Sequence, residues 1–159
     1  MARELFGEDV ETKPVRREWE VDPSAKFLIL PIPFGVDERI RQRVNRGRKT
    51  QNLIQETTEQ ATNRLRAIAL ARAEYALVDS VGFEVVTRSP KHAEELSAAL
   101  GDEAPVKPGQ FVKLDGKWTP AVKAAYFAMD PEFVAWVSDQ GGELAQTVIV
   151  ERETERGKT

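Results

Sequence analysis

Apolar and polar positions alternate at the start of the patterned part of the chain. Val15, Arg17, Trp19 and Val21 fall on one parity, and Arg16, Glu18 and Glu20 on the other. That is the period of two of a half-buried strand. Asp22-Pro23-Ser24 carries turn chemistry, because proline presets its own φ and aspartate bonds nearby backbone. Phe27-Leu28-Ile29-Leu30 supplies a return strand. Pro31 and Pro33 end it, since proline cannot donate to a ladder. The spacing predicts a β-hairpin over 15–32.

Beyond the hairpin the period lengthens. A helix is expected over 37–48, with Asp37 as its N-cap, until Gly47 interrupts. Over 49–79, Ile54, Ala61, Ile68 and Tyr75 recur every seven residues, and Leu53, Leu65 and Ala69 widen the stripe. Together they predict one amphipathic helix of about eight turns. A single hairpin cannot cover such a stripe, so it needs other helices, from this chain or from a second copy.

The stretch 81–87 reads as a short strand or extended link. Ser89-Pro90 and Thr119-Pro120 each set a capping hydroxyl before a proline at the first helical position. One helix should run to Leu100 and stop at Gly101. The other should break at Asp130-Pro131, which opens the last helix. Between them lie a Pro- and Gly-rich loop over 101–110 and a small hairpin over 111–118 around Asp115-Gly116.

The predicted fold class is α+β, mainly α-helical, with an N-terminal β-hairpin, one long central helix, a small second hairpin and two C-terminal helices. A flexible arm over 1–14 precedes a single domain over 15–150, and a charged flexible tail over 151–159 follows it.

Composition narrows the class. At 159 residues, 41% of them hydrophobic, the chain suits one domain with an ordinary core. It has no cysteine, so disulfides and thiolate metal sites are excluded and a reducing compartment is expected. No apolar run reaches about 18 residues, the length of a membrane span. The opening Met1-Ala2-Arg3-Glu4-Leu5-Phe6 leads into no apolar stretch, so no signal peptide is expected. The expected location is the cytoplasm, that of the host cell if the protein is viral.

Candidate chemistry is sparse. His92 is the only histidine, and no recognised spacing gives it a catalytic partner. One histidine without cysteine cannot supply the three protein ligands of a catalytic zinc. Glu94 and Glu95 point about 100° apart on a helix and form no magnesium clamp. Gly157-Lys158-Thr159 lacks the earlier glycine of a phosphate loop, since position 152 is Arg. No enzyme and no cofactor are expected.

Charge is more telling than the net value of −3. Arg39, Arg41, Arg43, Arg46, Arg48 and Lys49 crowd one segment, and Arg39, Arg43 and Arg46 share one helical face. That face could neutralise phosphates or dock an acidic partner. The acidic pI of about 5.4 and the lack of an aromatic residue in the cluster speak against nucleic acid. Trp118, Tyr126, Phe127, Phe133 and Trp136 read chiefly as core, with a share available as interface anchors. The candidate partner-binding residues are Arg39, Arg43, Arg46, Ile54, Leu65, Ile68, Tyr126, Phe133 and Trp136.

The order of elements resembles that of the tail assembly chaperones of long-tailed bacteriophages. Three passages carry the likeness. One is the opening strand pair, Arg17-Glu18-Trp19-Glu20-Val21-Asp22-Pro23 through Phe27-Leu28-Ile29-Leu30. Another is Ala76-Leu77-Val78-Asp79-Ser80-Val81, where a long helix runs into an extended piece. The third runs from Val112-Lys113-Leu114-Asp115-Gly116-Lys117-Trp118-Thr119-Pro120 to Asp130-Pro131-Glu132-Phe133-Val134-Ala135-Trp136-Val137. The likeness spans most of 15–159 and is one of pattern; 88–110 has no counterpart in it. It implies a small cytoplasmic, non-catalytic protein that coats the tape-measure protein and contacts tail tube subunits; the excess apolar stripe over 49–79 suits self-association or capture of a partner helix. Two other expectations stay open: a nucleic-acid-binding regulator using the basic face over 39–49, and a structural head–tail joining protein.

Overall fold

In a computed structural model of the chain, the structure describes residues 13–46, 56–101 and 105–157, with side chains as far as Thr147. The architecture is α+β and mainly helical, with two small antiparallel sheets. Strands β1 (Val15–Trp19) and β2 (Asp22–Ile29) form the hairpin. Its turn is Glu20-Val21 rather than 22–24, because Trp19 pairs with Asp22 and β2 already starts there. This register buries Trp19, Ala25, Phe27 and Ile29. Val21 does not join them: it occupies the turn and stays 60% exposed, and Val15 is exposed as well.

Helix α1 (Phe34–Arg46) begins three residues before Asp37. Asp37 is therefore no N-cap. It sits in the first turn, where a carboxylate is favoured by the helix dipole. There it accepts bonds from Arg41 Nε at 2.9 Å and Arg72 at 2.8 Å. Burial opposes its charge, but the bonds from Arg41 and the positive field of Arg72 and Arg41 outweigh this and hold its pKa below the ordinary carboxylate value.

The long central helix is shorter than its stripe predicts. Helix α2 runs Thr58–Ala76. Thr57 and Gln60 form a reciprocal capping box, with bonds of 3.1 and 3.0 Å. At Leu77 the chain turns extended and becomes β3 (Leu77–Val81), which pairs antiparallel with β2 and completes a sheet of order β1-β2-β3. The free edge of β2 offers this segment a ladder, and Leu30 N–H already bonds Ala76 C=O at 2.8 Å. Ladder pairing wins over local helical periodicity. Ile54, Arg48, Lys49 and most of the arm over 1–14 lie outside the described residues.

Strand β4 (Glu84–Val86) pairs with β5 (Phe111–Lys113), so β5 takes its partner from upstream and does not fold back at Asp115-Gly116. The Asp-Gly turn clasps the two sheets instead. Asp115 accepts bonds from Ser80 Oγ (2.8 Å), Gly82 N–H (2.6 Å) and Phe83 N–H (3.1 Å). Gly116, at φ 75°, donates to Asp79 Oδ1 at 2.7 Å.

The remaining helices start where their caps predict. Helix α3 (Pro90–Leu100) has Ser89 as N-cap and stops at Gly101, φ 94°. Helix α4 (Pro120–Met129) is capped by Thr119. Helix α5 (Pro131–Gly157) continues past 151, where the sequence suggests a flexible tail, and is about 40 Å long. Asp130 Oδ1 accepts the Phe133 N–H at its start. No helix among the described residues is long and apolar enough to cross a membrane.

Phe133 is fully buried in the middle of an aromatic core. Its ring centroid lies 5.2 Å from those of Trp19 and Phe27 and 5.4 Å from that of Phe83. Arg72 ties three helices together, since besides Asp37 of α1 it bonds Ser138 Oγ at 2.9 Å and Ser138 C=O at 3.1 Å on α5.

Candidate groove between helices α1 and α2

Arg39, Arg43 and Arg46 project from one face of α1, as their spacing of four and three residues requires. That face borders a groove of about 580 Å³, lined on the other side by Ala71, Glu74 and Tyr75 of α2. Ile40 is buried beneath it, and Val36 and Tyr75 are half-buried along its floor. The result is an open trough with an apolar floor and a cationic rim.

The three rim arginines differ from their neighbours. Arg41 and Arg72 are paired with Asp37, and Arg64 is paired with Glu56 at 3.1 Å. Among the described residues, Arg39, Arg43 and Arg46 have no ion-pair partner. Their guanidiniums are exposed and free to meet an outside anion. Among the described residues, Glu74 is the single acid in the lining. Its backbone C=O is taken by Lys123 Nζ at 2.7 Å, and burial lowers the pKa of that lysine.

The other candidate residues separate into surface and core. Leu65 is 55% exposed on α2, whereas Ile68, one turn on, is buried. Phe133 and Tyr126 belong to the core and present no docking surface. The Tyr126 hydroxyl donates to Asp130 Oδ2 at 2.7 Å, and burial followed by that bond pushes the phenol pKa up. Trp136 packs against Phe27 and Trp19 at 5.4 and 5.8 Å, with part of its ring at the surface. The aromatic cluster is thus the core that orders the helices.

Tyr75, Val36 and Ile40 were not among the site residues expected from sequence. Tyr75 shows there as a stripe position, but its place beside the arginines depends on how α2 packs on α1.

His92 borders a smaller cavity of about 270 Å³ with Arg88, Tyr126 and Asp130. Both carboxylate oxygens of Asp130 are already engaged, by Tyr126 and by the start of α5. No group of three or more metal-ligating side chains occurs among the described residues. No family model, curated protein or solved structure matches the chain.

Large apolar side chains remain outside the core. Phe34 is 77% exposed at the start of α1, and Phe111 is 68% exposed on β5. Phe34 borders a further cavity, of about 440 Å³, with Ile32, Arg72 and Gly142.

Proposed function

We propose that the chain is a non-catalytic assembly chaperone of phage tails, which coats the tape-measure protein and contacts tail tube subunits in the host cytoplasm. The observation that supports this is that Phe34 on α1, Leu65 on α2 and Phe111 on β5 are each more than half exposed. Aromatic side chains such as Phe34 and Phe111 are enriched where one protein meets another. The element order described for the tail chaperones adds to it: a hairpin, helices, an Asp-Gly turn, then Asp-Pro and a last helix.

Co-expression tests the assignment. A tape-measure protein should stay in the soluble fraction when made with this chain, and should aggregate when made alone. Equal solubility in both cases contradicts the assignment.

One observation favours a second reading, nucleic-acid binding. Tyr75 brings an aromatic ring beside Arg39, Arg43 and Arg46, which the linear sequence does not show. Glu74 in the same lining works against it, because it repels a phosphate chain.

A further inference from the structure

We infer that the groove between α1 and α2 is a docking site for an acidic amphipathic helix of the client protein. The identity of the client rests on the chaperone proposal; the chemistry of the occupant does not. It follows from the charge and shape of the groove.

The rim carries three guanidiniums without ion-pair partners among the described residues, so the occupant is anionic along that side. Arg39 and Arg46 are seven residues apart, about 10 Å along the helix axis. A second helix laid alongside matches them with carboxylates at the same intervals of four and three. Along the floor of the trough, Val36 and Tyr75 offer apolar surface that carboxylates cannot use. The other stripe of the occupant is therefore apolar. Two stripes, one acidic and one apolar, define an amphipathic helix in a groove between helices. A phosphate backbone would satisfy the arginines but leave the apolar floor uncovered.

The test uses the full chain and a labelled helical peptide of about 18 residues, or five turns. The peptide is built from Glu, Leu and Ala, with Glu on one stripe and Leu on the next. Fluorescence anisotropy reads its binding. Three probes accompany it: the same peptide with Lys for Glu, the same with Ser for Leu, and a single-stranded oligodeoxynucleotide. The triple variant Arg39→Glu, Arg43→Glu, Arg46→Glu alters only exposed side chains, and circular dichroism checks its fold.

The Glu/Leu peptide should bind, more weakly at high salt, and about tenfold or more weakly to the triple variant. The Lys and Ser peptides should bind at least about tenfold more weakly to the unaltered chain. Failure of the Glu/Leu peptide to bind, or binding unchanged in the triple variant, overturns the inference. So does equal binding of the Ser peptide, which would reduce the site to charge alone. Oligonucleotide binding that exceeds peptide binding and is lost in the triple variant also overturns it, in favour of nucleic acid. The two proposals fail separately. A triple variant that still keeps the tape-measure protein soluble removes the groove and leaves the chaperone assignment. A peptide that binds the groove of a chain without effect on the tape-measure protein does the reverse.

Discussion

Replacing Gly141 with leucine is expected to destabilise the protein by about 3 kcal/mol or more. Gly141 lies inside α5 where that helix meets α2 and the segment after β2. A Cβ there would come within 2.5 Å of Ile32 Cδ1, 2.7 Å of Ile32 Cγ1 and 3.1 Å of Ala76 Cβ. The end of the isoleucine can turn aside, but Ala76 Cβ is fixed to its backbone. The Ile32 backbone is also pinned, since its N–H donates to Gly141 C=O at 3.0 Å. Leucine therefore forces the helices apart or breaks that bond. Gly141→Ala should be milder, because a gain in helix propensity of about 1 kcal/mol offsets part of the overlap. Urea denaturation of both variants reads the difference. A leucine variant within about 0.5 kcal/mol of the parent would mean that α5 does not sit this close.

Asp115→Ala should cost about 3 kcal/mol or more. It leaves the buried Ser80 hydroxyl and the N–H groups of Gly82 and Phe83 without their shared acceptor. Ser80 Oγ also accepts from Trp118 Nε1 at 2.9 Å, so the loss reaches the aromatic core. Asp115→Asn keeps one acceptor oxygen and should cost less than alanine. Acid should have the same effect as the mutation. Burial opposes the Asp115 charge, but the bonds from Gly82, Ser80 and Phe83 outweigh it and place its folded pKa below 3.8. Its contribution is complete above 3.8, the ordinary value, and is lost as pH falls through the lower folded value. Asp37 acts in the same direction. Stability measured from pH 6 to pH 2 should therefore fall in the acid limb, and less steeply for Asp115→Ala than for the parent. Parallel curves would remove Asp115 from the account.

What could be read from sequence was what local chemistry decides. Ser89-Pro90, Thr119-Pro120 and Asp130-Pro131 each contain their own helix start, so those boundaries were legible. The end of α2 was not. Ala76-Leu77-Val78 carries no glycine, proline or capping residue to stop a helix, and only the distant free edge of β2 makes 77–81 a strand. The partner of β5 was hidden for the same reason, as 84–86 lies across a helix and a loop from 111–113. Of the candidate site, the face formed by Arg39, Arg43 and Arg46 was visible because it sits on one helix. The apolar floor was not, because Tyr75 and Ala71 reach it only through packing. Tyr126 and Phe133 have the composition of interface anchors, but composition cannot tell an anchor from the centre of a core.

The proposed function requires that the chain hold another protein. Affinity capture of the tagged chain from phage-infected cells, with and without nuclease treatment and with partners identified by mass spectrometry, tests it most directly. The expected result is nuclease-resistant recovery of a very long helical tape-measure protein together with the tail tube subunit. Recovery that disappears with nuclease and contains neither protein would contradict it.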